Sequence, residues 1–195
     1  GAYSNMACEA YFPNAKTLPC NSFEDMLNST KNALSDFSMV PVENSLAGRV
    51  ADIHHLIPDS GLFIVGEHFQ RVNHQLLGLE NSNLENIESV KSHAQGLAQC
   101  RKFISNHNLS PIQHIDTAGA AEEVSRLGDP KVAAIASDMA SKIYNLKILK
   151  NDIEDAEHNT TRFLIMARKP NIPSAEIAKP VTTIIFEVRS VPAAL

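Results

Sequence analysis

No stretch of this sequence approaches the roughly 20 consecutive apolar residues that a helix needs to cross a bilayer. Runs of lysine or arginine are absent too. With a formal net charge of −5 over 195 residues, the chain is a poor match for nucleic acid or an anionic membrane surface. Cysteine is scarce. Cys8, Cys20 and Cys100 are far apart and odd in number, so they form neither a disulfide framework nor a zinc pattern. Three buried thiols in a reducing cytoplasm are the expectation. No HExxH or comparable spacing joins the eight histidines, which argues against a metal centre. His54 and His55 are adjacent and point in different directions on a helix. The P-loop, GxGxxG and the serine-hydrolase elbow do not occur either. No signal-peptide pattern is visible. Gly1 is not a start methionine, so further residues are expected upstream.

What is present is globular. The chain is 44% hydrophobic and 20% charged, and long enough for one sizeable core or two small ones. Strand-like and helix-like stretches alternate. Helices are predicted over 3–12, with Ser4 as N-cap, and over 22–34, with Ser22 as N-cap and Asp25 in the capping-box position. In the second, Phe23, Met26, Leu27, Thr30 and Leu34 keep close to helical spacing. A strand over 37–43 contains Pro41, which places it at an end or an edge. A helix over 49–58 stops at Pro58. Further on come a strand at 88–92, a helix over 95–107, a strand at 112–115 and a helix over 118–128 closed by Gly128 at C′. The rest reads strand 131–137, helix 138–144, strand 146–150 and the strand that follows Asn159. Such alternation predicts an α/β protein with largely parallel sheets.

The β-rich segment 62–79 interrupts this order with no clear turn until Gly78. It is expected to cross between two lobes, with the return near Asn159 and a ligand cleft between them. The stretch 169–180 holds three prolines and reads as a linker. The strongly β segment beyond it reads as entry into a further domain.

Five stretches are candidates for chemistry. In "VPVENSLAGRV", Glu43, Asn44 and Ser45 follow a strand, where ligands gather in α/β sheets. They supply a carboxylate, an amide and a hydroxyl, but also suit a plain strand-to-helix turn capped by Asn44 or Ser45. In "KSHAQGLAQC", Ser92 and His93 open a helix whose Gln95, Gln99, Lys102 and Asn106 share one side. Anion binding, a solvated polar face capped by Ser92, and a general base at His93 all remain open. In "HIDTAGAAEEV", Asp116 or Thr117 caps a helix that starts with small residues, suited to a ligand or to close packing. The histidines are the fourth and are scattered. In "HNTTRF", strand alternation puts Asn159, Thr161 and Phe163 on one face and Thr160 and Arg162 on the other. A threonine hydroxyl is a very weak acid, useful only where the leaving group is strongly basic or the product strongly favoured. Residue chemistry alone reaches a small-molecule-binding cleft.

Taken together these motifs resemble the prephenate dehydratase family. "VPVENSLAGRV" is similar to its Glu-Asn-Ser/Thr segment, "SHAQGLAQC" to its Ser-His-Pro-Gln segment and "NTTRFLIM" to its Asn-x-Thr-Arg-Phe signature. "GAYS" is similar to the tail of its Gly-rich first loop, and "TTIIFEVRSVPAAL" to the start of its ACT regulatory domain. Ala94 stands where the family usually has proline.

The resemblance implies a two-lobed α/β fold like the type II periplasmic-binding proteins. It implies a catalytic domain over 1–170, with lobe 1 at about 1–72 plus 161–170 and lobe 2 at about 73–160. A linker at 171–180 and a truncated ACT domain at 181–195 follow from it as well. The implied activity is decarboxylating dehydration of prephenate to phenylpyruvate in L-phenylalanine biosynthesis, with no cofactor and no metal. Thr161 is then the proton donor to the leaving hydroxyl, with Glu43 as an alternative acid and Asn44 positioning the ring. Ser4, Ser45, Ser92, Gln99, Thr117 and Asn159 become substrate-binding candidates. Asn159 and Thr160 would shape the crossing turn. Arg162 is either a structural ion pair or a carboxylate clamp. L-phenylalanine is implied as an allosteric ligand, and a homodimer or homotetramer as the assembly. Arogenate dehydratase and a non-catalytic binding module of the same architecture are the alternatives.

Overall fold

The computed structural model describes residues 3–156, 158–174 and 181–182. Most of the expected linker (175–180) and most of the expected ACT start (183–195) lie outside the described residues. In chain order the elements open with α1 (Tyr3–Tyr11), α2 (Phe23–Lys31), β1 (Phe37–Asn44), β2 (Gly48–Arg49), α3 (Ala51–Leu56) and β3 (Phe63–Arg71). They continue with β4 (Gln75–Gly78), β5 (Ser89–His93), α4 (Ala94–Gln99), α5 (Arg101–Asn106) and β6 (Ser110–His114). The last are α6 (Thr117–Leu127), β7 (Val132–Ala136), α7 (Asp138–Ile143), β8 (Lys147–Lys150) and β9 (Thr160–Ala167).

These strands form two sheets, of order β2-β1-β9-β3 and β6-β5-β7-β4-β8. The expectation of largely parallel sheets fails. Among the described residues only β5–β6 and β5–β7 run parallel. β9 slots between β1 and β3 and is antiparallel to both, while β4 is antiparallel to β7 and β8. Parallel neighbours need a crossover, usually a helix. The chain instead leaves the first sheet after β3, through Val72, Asn73 and His74, and re-enters it only as β9.

Local signals fix most of the helices. Ser22 Oγ accepts from Asp25 N at 3.0 Å and starts α2. That helix ends at Lys31, because Ala33 turns left-handed (φ 62°); Leu34 therefore lies beyond it and is 74% exposed. Asp116 Oδ1 accepts from Gly119 N at 2.7 Å and Gly128 closes α6 at φ 70°. The helix expected over 95–107 is broken at Cys100 into α4 and α5. Asp155, far along the chain, causes the break. Its N–H donates to Gln99 O at 2.7 Å and its carboxylate accepts from Lys102 N at 3.1 Å, so it caps the second helix.

β9 alternates between two cores. Phe163 and Ile165 pack with Ala7 and Met39 on the α1 side. Leu164 and Met166 pack with Val40, Val42, Ile53 and Ile57 on the side of α2 and α3. The second sheet buries Leu76, Val90 and Ile135 on one face and Leu77 and Ala134 on the other, the latter packed with Val124 of α6. The outgoing and returning crossings are bonded to each other: Val72 N donates to Asn159 O at 2.8 Å and Ile153 N to His74 O at 2.9 Å. Of the cysteines, Cys100 is buried and Cys8 half-buried, but Cys20 is exposed, against expectation. It sits in the irregular stretch before α2, which has no core to enter.

Candidate active site

β1 ends in a tight polar turn rather than leading into a helix. Asn44 Oδ1 accepts from Leu46 N (3.0 Å) and Ala47 N (2.8 Å), turning the chain toward β2. Asx turns of this kind are a common use of asparagine. Asn44 Nδ2 donates to Thr161 Oγ1 at 3.0 Å and to Asn159 Oδ1 at 2.7 Å. Every hydrogen-bonding position of this amide is therefore occupied or nearly so. Thr161 is directly opposite Asn44 in the β1–β9 register, which is why their side chains meet.

From Asn44 the bonds continue into the other sheet. Asn159, 1% exposed, donates from Nδ2 to Gln99 Oε1 at 2.9 Å. His74 Nε2 is 2.7 Å from the same oxygen. His74 Nδ1 is 2.9 Å from the Tyr3 hydroxyl, which donates to Asn73 O at 2.7 Å. A continuous polar chain thus runs Thr161–Asn44–Asn159–Gln99–His74–Tyr3 and joins both lobes. Burial pushes the pKa of His74 down, with the Gln99 bond and Glu154 opposing it. Burial also raises the Tyr3 hydroxyl well above its ordinary value.

Two groups in this chain keep free donors. Thr161 accepts from Asn44, and its own hydroxyl hydrogen meets no acceptor among the described residues. Gln99 takes both protein donors on Oε1, leaving its Nε2 hydrogens without a protein partner there. No described side-chain polar atom is both buried and unbonded, so the Gln99 Nε2 donor is open to solvent; Thr161 is half-buried.

Other expected residues go elsewhere. Glu43 is exposed and lies opposite Arg162 and Arg49 in register, on the face away from Asn44. Arg162 bonds Glu67 through Nη2 (2.8 Å) and Nε (3.0 Å) and stands over the Phe69 ring. The structure does not bring Arg162 to Thr161; strict alternation along β9 carries it to the other face. Ser92 is 0% exposed and spends its proton on Ile135 O at 2.7 Å. It does not cap α4; His93 does, accepting from Gln95 N at 3.2 Å, and that bond occupies Nδ1. Thr117 begins α6 beside Gly96, which also abuts Ser92. Ser4 lies inside the first turn of α1 rather than capping it, and is exposed. Ser45 clamps the incoming β9: its hydroxyl donates to His158 O (2.9 Å) and accepts from Thr160 N (3.0 Å).

Tyr3 and His74 escaped sequence reasoning. The available signal was the polar triplet Asn73-His74-Gln75 leading into β4, whose second and third residues are buried. A cavity of about 770 Å³ lies elsewhere, against β6 and α6, lined by His114, Ile115, Glu122, Glu123 and Arg126 among others; it shares no residue with the polar chain. Among the described residues no group of three or more His, Cys, Asp or Glu is placed to hold a metal, and no helix is long and apolar enough to cross a membrane.

The family model described as prephenate dehydratase matches residues 1–171. The chain is 44% identical over 199 residues to a bifunctional N-acyl-homoserine lactone acylase/prephenate dehydratase of Komagataeibacter europaeus, covering all of this chain and 69% of that protein. It is 41% identical over 196 residues to arogenate dehydratase/prephenate dehydratase 1, chloroplastic, of Arabidopsis thaliana, covering all of this chain and 50% of that protein. The chain therefore spans only about half the length of the plant relative. Its fold matches a solved prephenate dehydratase from Arthrobacter aurescens in complex with L-Phe, with a TM-score of 0.82 and 26% identity, over 89% of this chain and 59% of that one. The two-lobed α/β architecture is shared with that structure.

Proposed function

The chain belongs to the prephenate dehydratase family, and from that premise we propose that it converts prephenate to phenylpyruvate in L-phenylalanine biosynthesis, with Thr161 as proton donor. The ring carboxylate leaves as carbon dioxide, and its bonding pair moves into the ring. The ring carbon–hydroxyl bond breaks with its electron pair on oxygen, and a proton from Thr161 makes water. The resulting alkoxide recovers its proton from solvent. Aromatisation drives the reaction, so a weak acid suffices where it is well positioned. The observation that carries this reading is the Asn44 amide on Thr161 Oγ1 at 3.0 Å. It fixes the oxygen, leaves the hydrogen free, and stabilises negative charge left on the oxygen. An acyl-transfer role would need a base at that hydroxyl; an amide donor suits a proton donor instead. Gln99 Nε2 supplies a second donor for a dianionic substrate, while Asn44 and Asn159 hold the two ends together.

The activity is tested by incubating the protein with prephenate, and separately with arogenate, and following phenylpyruvate and phenylalanine. Turnover of prephenate is expected. The isosteric Thr161→Val should lower kcat by roughly 100-fold to 10,000-fold, the usual worth of a positioned acid, and Thr161→Ser should keep most of it. Full activity in Thr161→Val would remove Thr161 from the mechanism. A wild type that binds prephenate without turnover would favour a binding module, and preference for arogenate would favour the amino analogue, as the name of the plant relative suggests. The segment from Val181 is proposed to begin an ACT domain responsive to L-phenylalanine, in a homodimer or homotetramer. Unchanged rates under phenylalanine titration of the full-length enzyme would sink that part.

A further inference from the structure

The direction of the hydrogen bonds from Asn44 to His74 Nε2 is dictated from the Asn44 end. Backbone N–H groups only donate, so Leu46 N and Ala47 N hold Asn44 Oδ1 and turn Asn44 Nδ2 outward. Asn159 must then offer Oδ1 to Asn44 and Nδ2 to Gln99. Gln99 must offer Oε1 to Asn159, and His74 Nε2, at 2.7 Å from that oxygen, must carry a hydrogen. In the neutral ring Nδ1 is then bare, and the single Tyr3 hydrogen serves it at 2.9 Å together with Asn73 O at 2.7 Å. The consequence falls on Gln99: its oxygen is committed to the protein and its NH₂ is left for a ligand. The opposite ring tautomer would turn Gln99 over and set its NH₂ against the Asn159 NH₂, while offering a carbonyl oxygen to an anion.

We propose that His74, braced by Tyr3, is a positioning residue that keeps the donor end of Gln99 turned toward the anionic substrate. It acts only through Gln99 and touches no reacting atom. The inference rests on the dehydratase reading for the identity of the anion, but the proton position on the ring does not.

Ring ¹⁵N NMR tests it directly. Wild-type His74 should carry its hydrogen on Nε2. Asn159→Asp keeps the shape of the side chain and still accepts from Asn44, but cannot donate to Gln99. Gln99 should turn its NH₂ toward the new carboxylate and His74 Nε2. The ring hydrogen then moves to Nδ1 and is donated to Tyr3, whose own hydrogen goes to Asn73 O, 2.7 Å away. A switch from Nε2–H to Nδ1–H is expected. A wild-type ring with Nδ1–H, or an Asp variant that keeps Nε2–H, overturns the inference whether or not the protein turns over prephenate. In kinetics, His74→Phe should raise KM for prephenate about tenfold with kcat within threefold, and should raise it no further in a Gln99→Met background, since groups acting as one unit are non-additive. A KM effect of equal size in both backgrounds, or none at all in wild type, would also overturn it. A wild type inactive on prephenate, with the tautomer switch present, sinks the dehydratase reading and leaves the proton relay standing.

Discussion

Asn159→Leu is the most informative single change for stability. Asn159 is 1% exposed and makes two side-chain bonds, accepting from Asn44 Nδ2 at 2.7 Å and donating to Gln99 Oε1 at 2.9 Å. Leucine has a similar volume and satisfies neither. Each lost bond is worth about 0.5–1.5 kcal/mol net. Gln99 Oε1 keeps His74 as a donor, so little is stranded there. The Asn44 N–H that pointed at Asn159 belongs to a half-buried residue, so its penalty is taken at the low end of about 1–3 kcal/mol. The net loss should be about 2–3 kcal/mol, after a small gain from burying apolar surface. For a chain of this size that lowers Tm by about 5–10 °C. Urea titration at neutral pH should show a lower midpoint with an unchanged slope. A loss under about 0.5 kcal/mol would mean that Asn159 is a bystander and that the lobes are not joined through it. The backbone bond from Val72 N to Asn159 O is untouched by the substitution, so a large loss reports on the side chain.

Three further outcomes are expected. Gly96→Ala should destabilise the protein by about 1–3 kcal/mol as an overpacking change, although alanine favours helices. Its methyl would stand 2.6 Å from Ser92 Oγ, which is held by Ile135 O; a stabilised variant in thermal melts would refute this packing. Arg162→Met should cost about 0–1 kcal/mol, because its pair with Glu67 is roughly a third exposed, and should leave KM for prephenate within threefold; a tenfold rise would restore Arg162 as a substrate clamp. His74 faces Tyr3, Gln99 and Glu154, and its folded pKa lies below its unfolded value of about 6.5. The unfolded chain then binds the proton more readily. The stability linked to His74 is full above about pH 6.5 and is lost as pH falls through the folded value, so urea midpoints should drop toward pH 5.5 less steeply in His74→Gln than in wild type; parallel profiles would remove His74 as the source.

Local signals explain what could be read from residues alone. Ser22, Asp116 and Gly128 mark helix ends because their partners lie within four residues. Pro41 marks an edge correctly: where it pairs with Phe163, β2 does not reach it on the other side. The failures involve distant partners. The break at Cys100 depends on Asp155, and strand direction depends on β9 returning between β1 and β3. Period-two alternation alone foresaw that Thr161 and Arg162 would part, and family resemblance supplied the reason to prefer Thr161. Ser92 lies in a matching motif, yet its hydroxyl is consumed by a backbone carbonyl, a fact no spacing reveals. Tyr3 and His74 were invisible because their value lies in meeting each other across the lobe boundary, 71 residues apart in sequence.

That boundary position bears on mechanism. Asn159 and His74 sit in the two crossing segments, which are themselves bonded together. In two-lobed proteins the crossing segments are where the lobes turn relative to one another, so residues there move least. Thr161 on the first sheet and Gln99 at the end of α4 are both tied to Asn159 within one or two bonds. Rotation of the lobes would change the width of the cleft far more than the spacing between these two donors. On the proposed reading, one of them holds an anion and the other protonates a departing hydroxyl. A weak acid gains most from a fixed position, since proximity and orientation rather than acidity must lower the barrier. Tying both donors to the crossing at Asn159 would hold that distance as the cleft opens and shuts.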